Sequence, residues 1–201
     1  MHTAVCLVPL LVLGVTWSLQ NNQILTQEYF DFEQFIGRWY EIAVISTCPH
    51  FMLRKKGNPV MFALELKNAT SEGIFTMTAS TFRNGSCEES TTNYSLTGTP
   101  GRFFHHVARF NADVDSFVVH TNYNKYAMIL QLSTEKPSGN KTTIVKLYSR
   151  TVTVTPLVLD QFKTLVRQHG IKEDAIIINQ HKGECAPGGQ MTEANTSPTG
   201  I

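Results

Sequence analysis

The residues best able to do chemistry in this chain are its cysteines, at positions 6, 48, 87 and 185. A thiolate is a nucleophile, a reductant and a metal ligand, so spacing decides which role is open. No C-x-x-C and no H-E-x-x-H occurs, which leaves no metal-site signature. No Ser/His/Asp or Cys/His signature stands out either. Cys6 lies in the apolar run 4–15 near the N-terminus and is expected to be lost with it. Cys48, Cys87 and Cys185 then remain, an odd number, which means one disulfide and a free thiol, or a bond to another chain. Arg54-Lys55-Lys56 follows Cys48. A cation beside a thiol lowers its pKa, although such a run by itself reads as a solvated loop. His105 and His106 are adjacent on a predicted strand, so they should point to opposite faces.

The elements that must position these residues come next. Residues 1–19 read as a secretory signal peptide: the apolar run is too short to cross a bilayer, which needs about 20 residues. Localisation is therefore expected to be extracellular, with no membrane span. Sequons at Asn68, Asn84, Asn93, Asn140 and Asn195 fit that route as glycosylation candidates. Residues 190–201 read as a disordered tail. The formal net charge of +1 and the lack of a dense basic patch argue against nucleic acid as a partner.

Between those ends the chain reads as eight short strands, over 39–46, 60–66, 74–82, 87–96, 102–110, 115–121, 126–132 and 142–150. Residues 74–82 alternate Thr or Ser with apolar residues, a period of two. Asn84-Gly85 is a hairpin pair, and Pro100-Gly101 marks another turn. Pro156 then opens an amphipathic helical pattern that closes at His169-Gly170. A short final strand follows at 175–178. The fold class is all-β, an eight-stranded antiparallel barrel with a C-terminal helix. A barrel of eight strands has room for one small ligand.

Three motifs in this order resemble those of the lipocalins. Gly37-Arg38-Trp39 is similar to their G-x-W. Thr121-Asn122-Tyr123-Asn124-Lys125-Tyr126 resembles T-D-x-x-Y, with Asn122 in place of Asp. Leu147-Tyr148-Ser149-Arg150 resembles the third motif, whose key residue is the Arg. The resemblance covers about residues 28–189 and implies an up-and-down barrel whose closed end is sealed by Arg150 lying over Trp39.

Further segments resemble one branch of that family, often made as a precursor joined to a Kunitz-type inhibitor: Ser46-Thr-Cys-Pro49, Cys87-Glu-Glu89, His120-Thr-Asn-Tyr123, Lys146-Leu-Tyr148 and Gly183-Glu-Cys-Ala-Pro-Gly188. No Cys-rich inhibitor pattern follows Cys185, so that activity is not implied. The resemblance implies a Cys87–Cys185 disulfide and a free Cys48 near the barrel mouth. It implies a small hydrophobic ligand, with haem or a related chromophore foremost, no obligatory cofactor, and a thiol-based reductive or radical-scavenging role at most on the enzymatic side. Of three lysine positions in the branch, Lys146 is retained, while Val107 and Ser133 stand at the others. Tyr148 is kept, and Ile36 replaces a tyrosine. Parity with Val107 turns His105 inward with Phe103, where it could ligate haem iron or simply be hydrogen-bonded. The expected ligand contacts are Cys48, His105, Lys146 and Tyr148. An isomerase in the family carries its thiol where this chain has Phe62, so that activity is not expected. Another member bonds a partner chain through a similar free Cys, so a disulfide-linked plasma protein at Cys48 is the alternative partner.

Overall fold

A computed structural model describes residues 24–83, 86–185 and 191–192. The signal peptide expected over 1–19 and the candidate glycosylation sites Asn84 and Asn195 lie outside the described residues.

Eight antiparallel strands close on themselves: β1 (Gly37–Ser46), β2 (Ala63–Lys67), β3 (Ile74–Arg83), β4 (Ser86–Leu96), β5 (Arg102–Val107), β6 (Ala112–Thr121), β7 (Tyr126–Glu135) and β8 (Lys141–Ser149). Each pairs with the next in sequence, and β1 pairs with both β8 and β2, which removes the open edges. Helix α1 (Phe32–Phe35) precedes β1, α2 (Pro49–Gly57) joins β1 to β2, and α3 (Pro156–Gln168) follows the barrel. A short strand β9 (Ile177–Ile178) adds to β1 beyond the part that pairs with β2.

Several boundaries differ from the sequence expectation. The fifth strand ends at Val107, because residues Ala108–Phe110 turn in a 3-10 helix that Asn111 closes at φ 44°. The second strand begins at Ala63, after Val60 has made an isolated bridge to Gln180. Helix α2 was not expected: Arg54-Lys55-Lys56, read as a solvated loop, forms its last turn, and Lys55 is buried. Met191–Thr192, expected in a disordered tail, form a strand β11 with β10 (Glu184–Cys185). Helix α3 starts as its sequence suggests. Thr155 accepts a bond from the Val158 amide, Pro156 occupies the first turn, and Gly170 takes φ 70° just past the end.

Alternation along the strands produces two cores. Phe35, Trp39, Phe75, Tyr94, Phe103 and Ile129 pack inside the barrel, toward one end. Tyr40, Ile42, Ile45, Met128, Leu130 and Leu147 face outward, where Phe162 and Val166 of α3 cover them with no exposure of their own.

Candidate ligand cavity and its charged lining

One end of the barrel is sealed. The Arg150 guanidinium lies 3.7 Å from the centroid of the Trp39 ring. It also donates to four backbone carbonyls: Tyr123 (2.8 Å), Arg38 (2.8 Å), Gln34 (3.0 Å) and Phe35 (3.3 Å). Trp39 itself is fully buried, and its indole N–H donates to Phe35 O at 2.8 Å. Gly37 takes φ 93°, and a Cβ there would sit 3.5 Å from Arg150 Nη1. Thus the first and third motifs meet at one plug.

The second motif shapes the β6–β7 turn. Asn122 Oδ1 accepts from the amides of Lys125 (2.9 Å) and Tyr126 (3.0 Å). Thr121 Oγ1 accepts from the Tyr123 amide and donates to Tyr126 O. The turn uses a side-chain oxygen only as an acceptor, a role an amide fills as well as a carboxylate does.

A cavity of about 260 Å³ lies toward the other end, against β1, β2, β3, β8 and α2. Phe62, Leu64, Met77 and Ala79 give it an apolar wall, Glu41, Arg54, Lys55 and Lys146 its charged lining, and Tyr148, Asn58 and Thr81 further polar groups. Of the residues expected to touch ligand, Lys146 and Tyr148 line this space. His105 faces the interior without lining it: its ring centroid lies 4.3 Å from that of Tyr94, and its Nδ1 is buried with no hydrogen-bond partner. His106 points outward to Asp113 at 2.8 Å, so the two histidines do split between faces. Burial, then the nearby charge of Lys146, lowers the His105 pKa from 6.5 to about 4.

Glu41 is the residue that the sequence reading missed. It is 5% exposed. Its Oε1 meets Lys55 Nζ at 2.9 Å and its Oε2 meets Lys146 Nζ at 3.3 Å. Asn179 Nδ2 adds a bond to Oε1 at 3.2 Å and one to the Glu41 carbonyl at 2.7 Å. Burial would raise the carboxyl pKa, but the two ammonium groups outweigh it and hold Glu41 at about 2. Lys146 moves the opposite way. Burial disfavours its charge, and Tyr148 and Glu41 more than offset this, leaving it above its ordinary value. A signal for Glu41 was present: it stands two residues after Trp39 on one strand, so period-two alternation sends it inward with the Trp. The β1–β8 register then shifts between Glu41 and Ala43.

Lys55 gives α2 its place. Besides Glu41 it donates to Val60 O at 3.1 Å, and its Nζ lies 4.4 Å from the centroid of Phe62. A lysine read from the sequence as solvated is thus drawn into the barrel. Cys48 immediately precedes the same helix, its side chain making no hydrogen bond to the first turn, its amide donating to Ser46 Oγ at 3.0 Å, and it does not line the cavity. It is half-buried and, among the described residues, has no disulfide partner. Cys87 and Cys185 are bonded, with Cα atoms 5.6 Å apart. Asn68, Asn93 and Asn140 are exposed. A larger groove of about 450 Å³ runs outside the barrel between α3 and His120, Met128 and Val119, and it contains none of the expected site residues.

A model of the Lipocalin / cytosolic fatty-acid binding protein family matches residues 36–183. The chain belongs to the lipocalin family. Protein AMBP of Pleuronectes platessa is 47% identical over 204 residues, covering 98% of this chain and 57% of that protein. Protein AMBP of Mus musculus is 36% identical over 178 residues, covering 89% and 49%. The chain spans about half the length of these relatives, matching their lipocalin part, and is an α1-microglobulin-like lipocalin in that sense. Prostaglandin-H2 D-isomerase of Canis lupus familiaris is 30% identical over 179 residues, covering 88% of this lipocalin and 92% of that protein. Among solved structures, that described as "The Siderocalin Ex-FABP functions through dual ligand specificities" shares the fold. Its TM-score is 0.61 at 21% identity, over 75% of this chain and 96% of that one.

Proposed function

We propose that this lipocalin is a secreted carrier that holds one small hydrophobic ligand in the barrel cavity, with the Cys48 thiol available for reductive or radical-scavenging chemistry. The cavity carries this reading. It has an apolar wall and a few convergent polar groups, above an end closed by Arg150 and Trp39. Cys48 supports the second half, since it has no disulfide partner among the described residues and directly precedes the helix whose Arg54 and Lys55 line the same cavity. The Cys87–Cys185 bond fits an oxidising compartment. Native mass spectrometry of the protein taken from extracellular fluid tests the carrier reading. A bound mass that organic extraction removes supports it, and a bare protein at every preparation overturns it.

Haem is the ligand that the family resemblance implies, and His105, inward with its Nδ1 unpartnered but outside the cavity lining, would have to turn into the cavity to ligate it. Titration read by the Soret band, beside Cys48→Ser and His105→Ala, tests it. Binding weakened by either substitution supports haem. An unchanged Soret band leaves a carrier of a more compact ligand, as the 260 Å³ of the cavity favours. Partner coupling is the rival role for Cys48. A heavier, thiol-sensitive band on non-reducing electrophoresis of the native protein supports that role.

A further inference from the structure

The closed end of the barrel displays a side chain that neither the plug nor the cavity uses. Residues 24–31 cross that end before α1 and are fixed on both sides of Tyr29. On one side, the Gln27 amide donates to Val118 O at 2.7 Å, and Gln27 Oε1 accepts from the Thr121 amide at 3.0 Å. On the other, the Asp31 amide donates to the Tyr123 hydroxyl at 3.0 Å. Phe30 turns inward, its ring 5.2 Å from that of Phe35 and 5.9 Å from that of Phe103. Tyr29 stands between these anchors and is 92% exposed, the highest value among the exposed large apolar and aromatic side chains described.

Its backbone takes φ 52°. That left-handed region is costly for a bulky residue, and glycine or asparagine enters it more readily. A ring so exposed gains little from burial either. Neither packing nor backbone geometry therefore asks for tyrosine at this turn, and strain of this kind is retained where the side chain has a use. The charge around the phenol is one-sided. Glu28, Asp31 and Glu33 flank it, and residues 24–37 hold no Lys, Arg or His. Glu28 and Glu33 are exposed, and Asp31 caps α1 by accepting from the Gln34 amide. Among the described residues none of the three makes an ion pair. An accessible phenol in an uncompensated negative field suits an enzyme with a cationic cleft.

Building on the secreted reading, we propose that Tyr29 is a site of O-sulfation, modified by a sulfotransferase of the secretory route that reads Glu28 and Glu33. The donor is a nucleotide phosphosulfate. The phenol oxygen bonds to sulfur, and the bond from sulfur to the donor's phosphate oxygen breaks. The nucleotide leaves with a free phosphate, and the phenolic proton passes to a base of the transferase. Nothing is oxidised or reduced. The aryl sulfate is anionic at every physiological pH, so it adds a permanent negative charge to the three carboxylates at this end. None of these residues lines the barrel cavity, so the modification leaves ligand binding unchanged.

Expression of the full chain in cultured animal cells fed radioactive sulfate tests this, with N-glycans removed enzymatically before counting. The secreted protein is expected to carry label, and peptide mass spectrometry to place one sulfate group on Tyr29. Tyr29→Phe should abolish the label. The double Glu28→Gln, Glu33→Gln variant should lower it severalfold. Both variants should be secreted as well as the parent, because all three side chains are exposed. A secreted parent protein without sulfate on Tyr29, a phosphate in its place, or equal labelling of the double variant overturns the proposal and leaves the carrier reading standing. A chain that never reaches the medium overturns the secreted reading, and this proposal with it.

Discussion

The ammonium of Lys55, on a helix outside the barrel wall, lies 2.9 Å from the carboxylate of Glu41 inside it. That contact pins α2 against the cavity. It joins a helix of weak amphipathic character to the barrel by charge, where α3 is joined by apolar area. Removing one partner of a buried ion pair typically costs about 3–5 kcal/mol, because the other charge stays behind. Lys55→Met, which leaves Glu41 with Lys146, is expected to fall at or below the lower end. Hydrogen exchange should show faster opening confined to residues 49–57. Unchanged exchange there would mean that α2 is held by something else.

Acid should weaken the fold in two stages with the same sign. His105 is held below its ordinary value, at about 4, so the unfolded chain binds the proton first. Its share of stability is present above pH 6.5 and is lost as pH falls toward 4. Glu41 is held at about 2 against an ordinary 4.5, so its share is present above pH 4.5 and is lost between 4.5 and 2. Urea midpoints measured from pH 8 to pH 2 check this. His105→Phe should flatten the upper window and Glu41→Gln the lower one.

Arg150 touches the Trp39 ring and four carbonyls, and a lysine cannot reproduce that fan of donors. Arg150→Lys should cost about 2–4 kcal/mol, combining lost bonds to buried carbonyls with the lost ring contact. Denaturant unfolding followed by Trp fluorescence reads it. A loss under about 1 kcal/mol would show that the plug is held by Trp39 packing alone.

The Cys87–Cys185 bond joins positions 98 residues apart, tying β4 to the segment beyond β9. Closing so long a loop removes much freedom from the unfolded chain, worth up to about 5 kcal/mol by loop entropy and typically less in practice. The double Cys87→Ser, Cys185→Ser variant should lose about 2–4 kcal/mol by equilibrium unfolding. Cavity binding should persist, because neither sulfur lines it.

Phe162 of α3 has no exposed surface and packs on the outward core. Phe162→Ala should cost about 3–5 kcal/mol. Ligand affinity in the barrel should hold, since the helix touches the opposite face of the wall.

What the sequence determined was everything carried by local period and punctuation. Alternation every two residues, with turns at Pro100-Gly101 and elsewhere, laid out eight strands. An apolar stripe behind Thr155-Pro156 set the helix, and the three motifs marked the family. Parity along one strand was enough to separate His105 from His106. The tertiary structure alone decided which charges meet. Glu41, Lys55 and Lys146 are separated by up to 105 positions, and no pattern in a one-dimensional chain relates them. They converge because barrel closure sets β1 beside β8, and because α2 folds back over the rim. The same closure turned Lys55 from an expected surface lysine into a buried one. Burial is a property of what packs around a residue, and a run of three basic residues cannot reveal which of them a carboxylate across the wall will claim.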